Sequence, residues 1–234
     1  MQDGEAVAAF LAAIPRFEGA GLPAVDPSTV KDVHCRSIAR LWAGMGHVYE
    51  LTAAGVTIIA KRVQLPASCG GIGDERKRAS YHVEASFYAN GIASQLAAAG
   101  CALPLPLHVS REPTIFITMT QLEGRRGGLD AAETRAALEW LARLHATFWG
   151  HTRADAAVGI GLQPQGTYWY LDTRPDELES MPTRGWEGRL RLAAGAIDAR
   201  LKAERYQTIV HGDAKDANML FSAGGGGGGA RACE

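Results

Sequence analysis

An acidic and an amide side chain lie five positions apart in a short polar segment between two apolar stretches. The segment runs from His211 to Asn218 and contains Asp213 and Lys215. A carboxylate can orient an attacking hydroxyl and take its proton, an amide oxygen can bind Mg²⁺, and an ammonium group can neutralise phosphate charge. The spacing therefore indicates phosphoryl transfer, with Asp213 as base, Asn218 as metal ligand and Lys215 at the transferred group. We expect His211 to brace the loop by hydrogen bonding.

The elements that must position this segment begin with three predicted antiparallel strands, at residues 37–41, 47–51 and 56–63, where β-branched residues are enriched. Gly44 and Gly46 lie in the first turn, where a glycine backbone can approach phosphates and present its N–H groups. A Gly-x-Gly pair in a turn is as often only a turn, so both interpretations stay open.

A lysine and a glutamate follow in an order that suits nucleotide binding. Lys61 ends the third strand, from which an ammonium group can reach phosphates; the alternative is a solvated lysine at a strand end. Glu84 lies in the middle of a helix predicted over 75–90 and could pair with Lys61. Glu75 is the competing candidate, but an acidic residue near a helix start is expected for the helix dipole alone.

The second half of the chain is predicted to be mainly helical. A buried strand at 114–119 is followed by a helix over 131–149, which Asp130 and Glu133 begin as a capping box. We expect its core stripe to contain four residues: Leu138, Leu141, Ala142 and Phe148. Another helix is predicted over 186–205.

The distance from Asp213 to Asn218 equals that in the protein-kinase catalytic loop, Asp-x-x-x-x-Asn, and Gly212 replaces the arginine of protein kinases. With the segments 41–46, 76–84 and 166–177, the chain resembles the choline/ecdysteroid-kinase-like proteins, which are related to aminoglycoside phosphotransferases. The resemblance covers about residues 33–221.

This resemblance implies an α+β, protein-kinase-like fold of two lobes, with an antiparallel-sheet N-lobe and a mainly helical, incomplete C-lobe. It implies Mg²⁺ and ATP as cofactors and a small hydroxylated molecule as acceptor. The segment 120–124 would then be the hinge that binds adenine, with Gln121 and Glu123 as cofactor-binding residues beside Gly44, Gly46, Lys61 and Glu84. The acceptor itself stays open among choline-like, steroid-like and aminoglycoside-like compounds.

The resemblance also implies a second metal-binding carboxylate after Asn218, but no aspartate follows Asp216 in the sequence. We therefore expect a C-terminally truncated chain with impaired transfer; the alternative is a non-catalytic, kinase-like protein that binds a nucleotide or a partner. The predicted divisions are an N-terminal helix and connector at 1–30, an N-lobe at 31–122, a partial C-lobe at 123–222 and a glycine-rich, disordered tail at 223–234.

Composition sets the remaining expectations. The chain has 24 basic and 25 acidic residues, a net charge of −1, so it lacks the basic excess that nucleic acid or an anionic membrane surface would require. No apolar run is long enough to span a bilayer. The four cysteines form no pair with zinc-ligand spacing. We expect a cytoplasmic protein, and the sequence does not specify its oligomeric state.

Overall fold

The computed structural model describes residues 1–65, 71–112, 114–167, 169–222 and 230–232. Its helices are α1 (Asp3–Ala13), α2 (Ile72–Ala89), α3 (Ile92–Ala98), α4 (Ala131–Thr147), α5 (His151–Gly159), α6 (Pro175–Ser180) and α7 (Gly185–Lys202). Its strands are β1 (His34–Arg40), β2 (Gly46–Ala53), β3 (Val56–Val63), β4 (Pro106–Ser110), β5 (Ile115–Thr120), β6 (Met219–Phe221) and β7 (Ala230–Ala232).

A five-stranded antiparallel sheet with the order β1-β2-β3-β5-β4 forms the N-terminal half of the fold. The three predicted strands form the predicted meander, and β5 follows as expected, so the α+β class is confirmed. The edge strand β4 was not predicted, nor was α3. Both are short, and β4 begins with a proline, which tolerates an edge position but weakens a strand pattern.

Alternating residues of β3 face two separate cores. Ile58 and Ala60 pack with the helix α1 on one face of the sheet. Ile59 and Val63 lie on the opposite face, against the core to which α2 and α4 contribute. Because side chains alternate along a strand, Lys61 lies on the α2 side, between Ile59 and Val63. This alternation decides which helix can supply a partner for the lysine.

The helix α4 begins as predicted, since Asp130 accepts hydrogen bonds from the N–H groups of Ala132 and Glu133 and completes a capping box. The predicted core stripe is wrong in part, because Leu138 is 60% exposed and Ala142 is also exposed. The buried face instead carries Trp140, whose indole N–H donates to the carbonyl oxygen of Ala102 at 2.9 Å. The bulk and the hydrogen bond of this tryptophan favour a face about one position away from the predicted stripe.

The C-terminal part is helical, and α7 covers most of its predicted range. The short helices α5 and α6 were not predicted. The glycine-rich part of the predicted tail, 223–229, lies outside the described residues, whereas β7 within that tail pairs with β6 in a two-stranded sheet. Among the helices of the described ranges, none combines the length and the apolar character that crossing a membrane would need.

Candidate active site

Lys61 and Glu84 form a buried ion pair between β3 and α2. The Nζ atom of Lys61 lies 2.7 Å from Oε1 of Glu84, and the side chains are only 8% and 13% exposed. The ammonium group also lies 5.6 Å from the centroid of the Tyr81 ring, one helical turn before Glu84. Of the two glutamates considered, Glu84 makes the contact, and Glu75 lies exposed in the first turn of α2. A buried lysine held by one carboxylate has a fixed direction, as a phosphate-binding cation requires.

Gly44 and Gly46, the two glycines of the first turn, occupy their positions for different structural reasons. Gly46 has a φ of +131° and pairs with Val63, and a Cβ there would collide with the carbonyl oxygen of Arg62. Gly46 is therefore required by the close approach of β2 and β3, whatever else it does. Gly44 has a φ of +72°, and a Cβ there would meet open space. Gly44 thus leaves room above the turn in which a ligand could approach the backbone.

The acid and the amide of the polar segment are in direct contact. The Nδ2 atom of Asn218 donates to the main-chain oxygen of Asp213 at 3.0 Å and to its Oδ2 atom at 2.9 Å. The Nζ atom of Lys215 lies 2.7 Å from the same Oδ2 atom. A single turn of 3-10 helix, Asp216–Asn218, brings the amide back to the carboxylate. The loop therefore gathers two oxygen-bearing side chains and one ammonium group within hydrogen-bonding distance.

His211 braces this loop from its buried side. Its Nδ1 atom accepts a hydrogen bond from the main-chain N–H of Asp213 at 3.2 Å, and its ring packs edge-on against Trp140 with centroids 5.9 Å apart. Burial lowers the pKa of His211, and the charge of Asp213 opposes this shift only in part. A neutral imidazole that accepts a main-chain hydrogen bond is compatible with a structural role.

Main-chain pairing ties the end of the loop to the segment after β5. Arg125 and Phe221 exchange two main-chain hydrogen bonds of 2.9 Å, and a Cβ on Gly124 would lie 3.0 Å from the Cβ of Leu220. Met219 and Phe221 lie in the same core as Val63. The strand that carries Lys61 and the strand that follows Asn218 are thus anchored in one continuous core.

The two predicted hinge side chains lie on the surface. The Nε2 atom of Gln121 donates to Oε2 of Glu50 on β2 at 3.2 Å, so the side chain is directed along the sheet. Glu123 is exposed. The side chain of Gln121 thus contacts β2, and the binding of adenine by this segment stays a prediction.

Sequence reasoning missed two arginines that lie against the aromatic rings of Trp169 and Tyr170. The guanidinium carbon of Arg76, on α2, lies 5.0 Å from the centroid of Tyr170. That of Arg174 lies 3.7 Å from the centroid of Trp169. Both arginines fall inside segments that carry the family resemblance, but no sequence pattern pairs Arg76 with a ring almost a hundred residues away. Only the packing of α2 against the turn at Leu171–Thr173 brings Arg76 and Tyr170 together.

The side chains gathered here suit the phosphates of a nucleotide and a hard cation such as Mg²⁺. The buried Lys61 suits phosphate, and the oxygens of Asp213 and Asn218 are of the type that Mg²⁺ prefers. Within the part of the chain that the structure describes, no three His, Cys, Asp or Glu side chains come together as a ligand group. Two oxygen-bearing side chains are consistent with Mg²⁺, which keeps several waters and binds phosphate oxygens as well.

Comparison with known proteins gives a family match over most of the chain. The sequence model of the family described as "phosphotransferase enzyme family" matches residues 37–230. No curated protein matches.

Among solved structures, a candidate aminoglycoside phosphotransferase from Ralstonia eutropha JMP134 is 16% identical, with a TM-score of 0.41, over 94% of this chain and 60% of that one. A thermostable mutant of the aminoglycoside phosphotransferase APH(4)-Ia, in its apo form, is 13% identical, with a TM-score of 0.32, over 52% of this chain and 36% of that one. The chain thus spans less than two thirds of both.

Proposed function

Because the chain belongs to the phosphotransferase enzyme family, as its resemblance predicted, we propose that it transfers the γ-phosphoryl group of ATP to a hydroxyl of a small molecule. The observation that carries this proposal is the buried ion pair of Lys61 and Glu84, at 2.7 Å. A charged pair that is taken out of water needs a reason, since an apolar pair of similar volume is often at least as stable. Directing an ammonium group at phosphates supplies that reason.

Each residue then has a defined task. Lys61 binds the phosphates that stay with the nucleotide, and Glu84 holds its ammonium group in place. Asp213 orients the acceptor hydroxyl and takes its proton while that oxygen bonds to the γ-phosphorus and the bond to the leaving ADP oxygen breaks. Lys215, already 2.7 Å from Asp213, lies where it can neutralise charge on the transferred group.

Asn218 is the residue that would hold Mg²⁺, while Asp213 keeps its task toward the acceptor hydroxyl. When bound, Mg²⁺ supplies positive charge that neutralises the phosphates. The Nδ2 atom of Asn218 donates to the Oδ2 atom of Asp213, and the oxygen of the same amide group, Oδ1, is the atom that would bind Mg²⁺.

A second candidate function is nucleotide binding without transfer. The observation that favours it is the crowding of the Oδ2 atom of Asp213, which contacts both Lys215 and Asn218. A carboxylate that keeps these contacts in the nucleotide complex has less capacity to accept a proton from an acceptor hydroxyl. The buried ion pair would still bind phosphates.

Release of ADP with Mg²⁺, ATP and a panel of hydroxyl compounds tests the proposal, comparing the wild type with Asp213→Asn. We expect the substitution to lower turnover by about 10²- to 10⁴-fold. Asp216→Asn is the matched control, because it makes the same change three positions away, and an amide oxygen can still accept from the N–H of Ala217 as Asp216 does at 2.8 Å. Equal turnover in the wild type and Asp213→Asn would overturn the catalytic role. If ATP stabilises the wild type but neither the wild type nor the variants release ADP, the second candidate is favoured.

A further inference from the structure

We propose that the acceptor carries an anionic group, a carboxylate or a phosphate, and that Arg76 and Arg174 bind it beside the catalytic loop. This inference rests on the proposed function and specifies its acceptor. Three features of the described residues carry it: the position of the arginines, the contacts that hold them, and the covering of the aromatic ring faces, which could otherwise bind a cation.

The segment that carries the two aromatic rings contacts the catalytic loop. Thr167 packs on the residue before Asp213, because a Cβ placed on Gly212 would lie 3.6 Å from the Cα atom of Thr167. Two to seven positions further along this segment come Trp169, Tyr170 and Arg174. The acceptor of a phosphoryl transfer must reach Asp213, so a segment in contact with its loop is a natural wall of the acceptor site.

The helix α2 supplies the facing wall. Arg76 lies eight residues before Glu84, which is about 12 Å along a helix. Next to it, the Nζ atom of Lys77 lies 5.1 Å from the ring centroid of Trp42, in the glycine turn. The first turns of α2 thus lie between the turn that contains Gly44 and the segment after Thr167. We place the meeting point of nucleotide and acceptor close to these turns.

Both guanidinium groups are held in position by stacking. Arg76 lies over Tyr170 and Arg174 over Trp169, and the Nη1 atom of Arg174 also donates to Oε1 of Glu177 at 3.1 Å. A guanidinium that stacks by its face keeps its N–H donors in the plane at its edge, where they match the oxygens of a carboxylate or phosphate. Held side chains also lose less conformational entropy on binding.

The same stacking argues against a cationic acceptor at these rings. Aromatic faces bind quaternary and primary ammonium groups by cation–π attraction. Here, faces of Trp169 and Tyr170 are already covered by the chain's own cations. An incoming ammonium group would have to displace a guanidinium and would meet its charge, whereas an incoming anion would be attracted to it.

Four small probes test the inference: glycerate, glycerol 3-phosphate, glycerol and choline, titrated by ligand-observed NMR with and without Mg²⁺ and a non-hydrolysable ATP analogue. Glycerate and glycerol differ chiefly by one carboxylate, so their ratio measures the anionic contribution. We expect at least one anion to bind about tenfold or more tightly than glycerol, since a hydrogen bond to a charged group contributes about 1.5–3 kcal/mol. We expect choline to bind no more tightly than glycerol. A preference for choline, or equal affinities, would overturn the inference.

Variants of the arginines show where the anion binds. We expect Arg76→Gln and Arg174→Gln to weaken it roughly 10- to 100-fold and to raise its KM far more than they lower kcat. Lysine at either position keeps the charge but loses the planar fork, so it should restore only part of the affinity. Arg135→Gln, an exposed change on α4, is the control and should bind like the wild type. Circular dichroism melts of each variant identify any that do not fold, and the lysine variants then take their place.

The outcomes separate this inference from the proposed function. Anion binding that depends on both arginines but persists without ADP release supports the anion site and counts against transfer. ADP release that the arginine variants leave unchanged supports transfer and overturns the anion site. Binding of glycerol 3-phosphate that disappears in Lys61→Met and survives in the arginine variants would assign the anion to the nucleotide phosphates, which also overturns it.

Discussion

Two lysine–carboxylate pairs in this protein share one distance and differ in almost everything else. Lys61 and Glu84 lie 2.7 Å apart with side chains 8% and 13% exposed. Lys215 and Asp213 also lie 2.7 Å apart, but their side chains are 54% and 52% exposed. The first pair joins a central strand to a long helix, and the second lies within one short loop.

Burial separates the physical roles of the two pairs. Water screens the loop pair, so its attraction is weak and either partner can exchange it for a substrate group. Little water reaches the buried pair, so losing one member leaves the other charge uncompensated. In the proposed transfer, the buried pair would hold the nucleotide in a fixed position while the exposed groups of the loop change partners.

The largest effect on stability is expected from breaking the buried pair. Glu84→Gln leaves the charge of Lys61 in the protein interior, and we expect it to lower the free energy of unfolding by about 3–5 kcal/mol. Equilibrium unfolding in urea measures the loss. Glu75→Gln, an exposed glutamate on the same helix, is the control, and an equal loss in both variants would show that the pair of Lys61 and Glu84 is not special.

Replacing both members of the pair should recover most of the lost free energy of unfolding. In Lys61→Met/Glu84→Leu no buried charge remains, and similar volumes are filled, so we expect the free energy of unfolding to return to within about 1–2 kcal/mol of the wild type. The same urea titration measures it, and the two single variants complete a double-mutant cycle. A double variant as unstable as the sum of the single ones would mean that the two charges do not interact.

A much smaller effect is expected from the loop pair. Lys215→Met should change the free energy of unfolding by about 0–1 kcal/mol, and the difference should shrink further in 0.5 M salt because the pair is exposed. Thermal or urea unfolding at two salt concentrations tests this. A loss of the size expected for Glu84→Gln would mean that exposure does not distinguish the pairs.

The free energy of unfolding should depend modestly on pH through His211 and should only decrease as the pH falls. Burial lowers the pKa of His211 below its ordinary value of 6.5. The unfolded chain therefore takes up a proton first as the pH falls, and the free energy of unfolding should decrease from about pH 7 downward until the folded histidine is also protonated. His211→Asn keeps an acceptor for the N–H of Asp213 and should flatten this part of the profile.

Urea titrations between pH 5 and 8 measure that profile. His151→Asn, which makes the same change at an exposed position at the start of α5, is the control. If His151→Asn flattens the profile as much as His211→Asn, burial of His211 is not the cause.

The sequence predicted the meander, the helix that carries Glu84 and the capping box of α4, because each leaves a local pattern of turns, caps or periodicity. The kinase-like α+β class was implied by the family resemblance. The sequence did not predict β4 or α3, which are short, or the buried face of α4. That face depends on Trp140 finding the carbonyl oxygen of Ala102, a contact between distant positions. The pair of Arg76 with Tyr170 escaped prediction for a similar reason, since the two residues lie far apart in the sequence.

By itself, the sequence determined which chemical groups the protein has and their order: an acid five positions before an amide, a lysine at a strand end and a glutamate within a helix. Only the tertiary structure decided how far water reaches each of them. The alternation of β3 directs Lys61 toward α2 and away from solvent, while the loop after α7 leaves Asp213 and Lys215 half exposed. Burial depends on what the rest of the chain packs against each residue, so two pairs with the same chemistry and the same distance differ in strength.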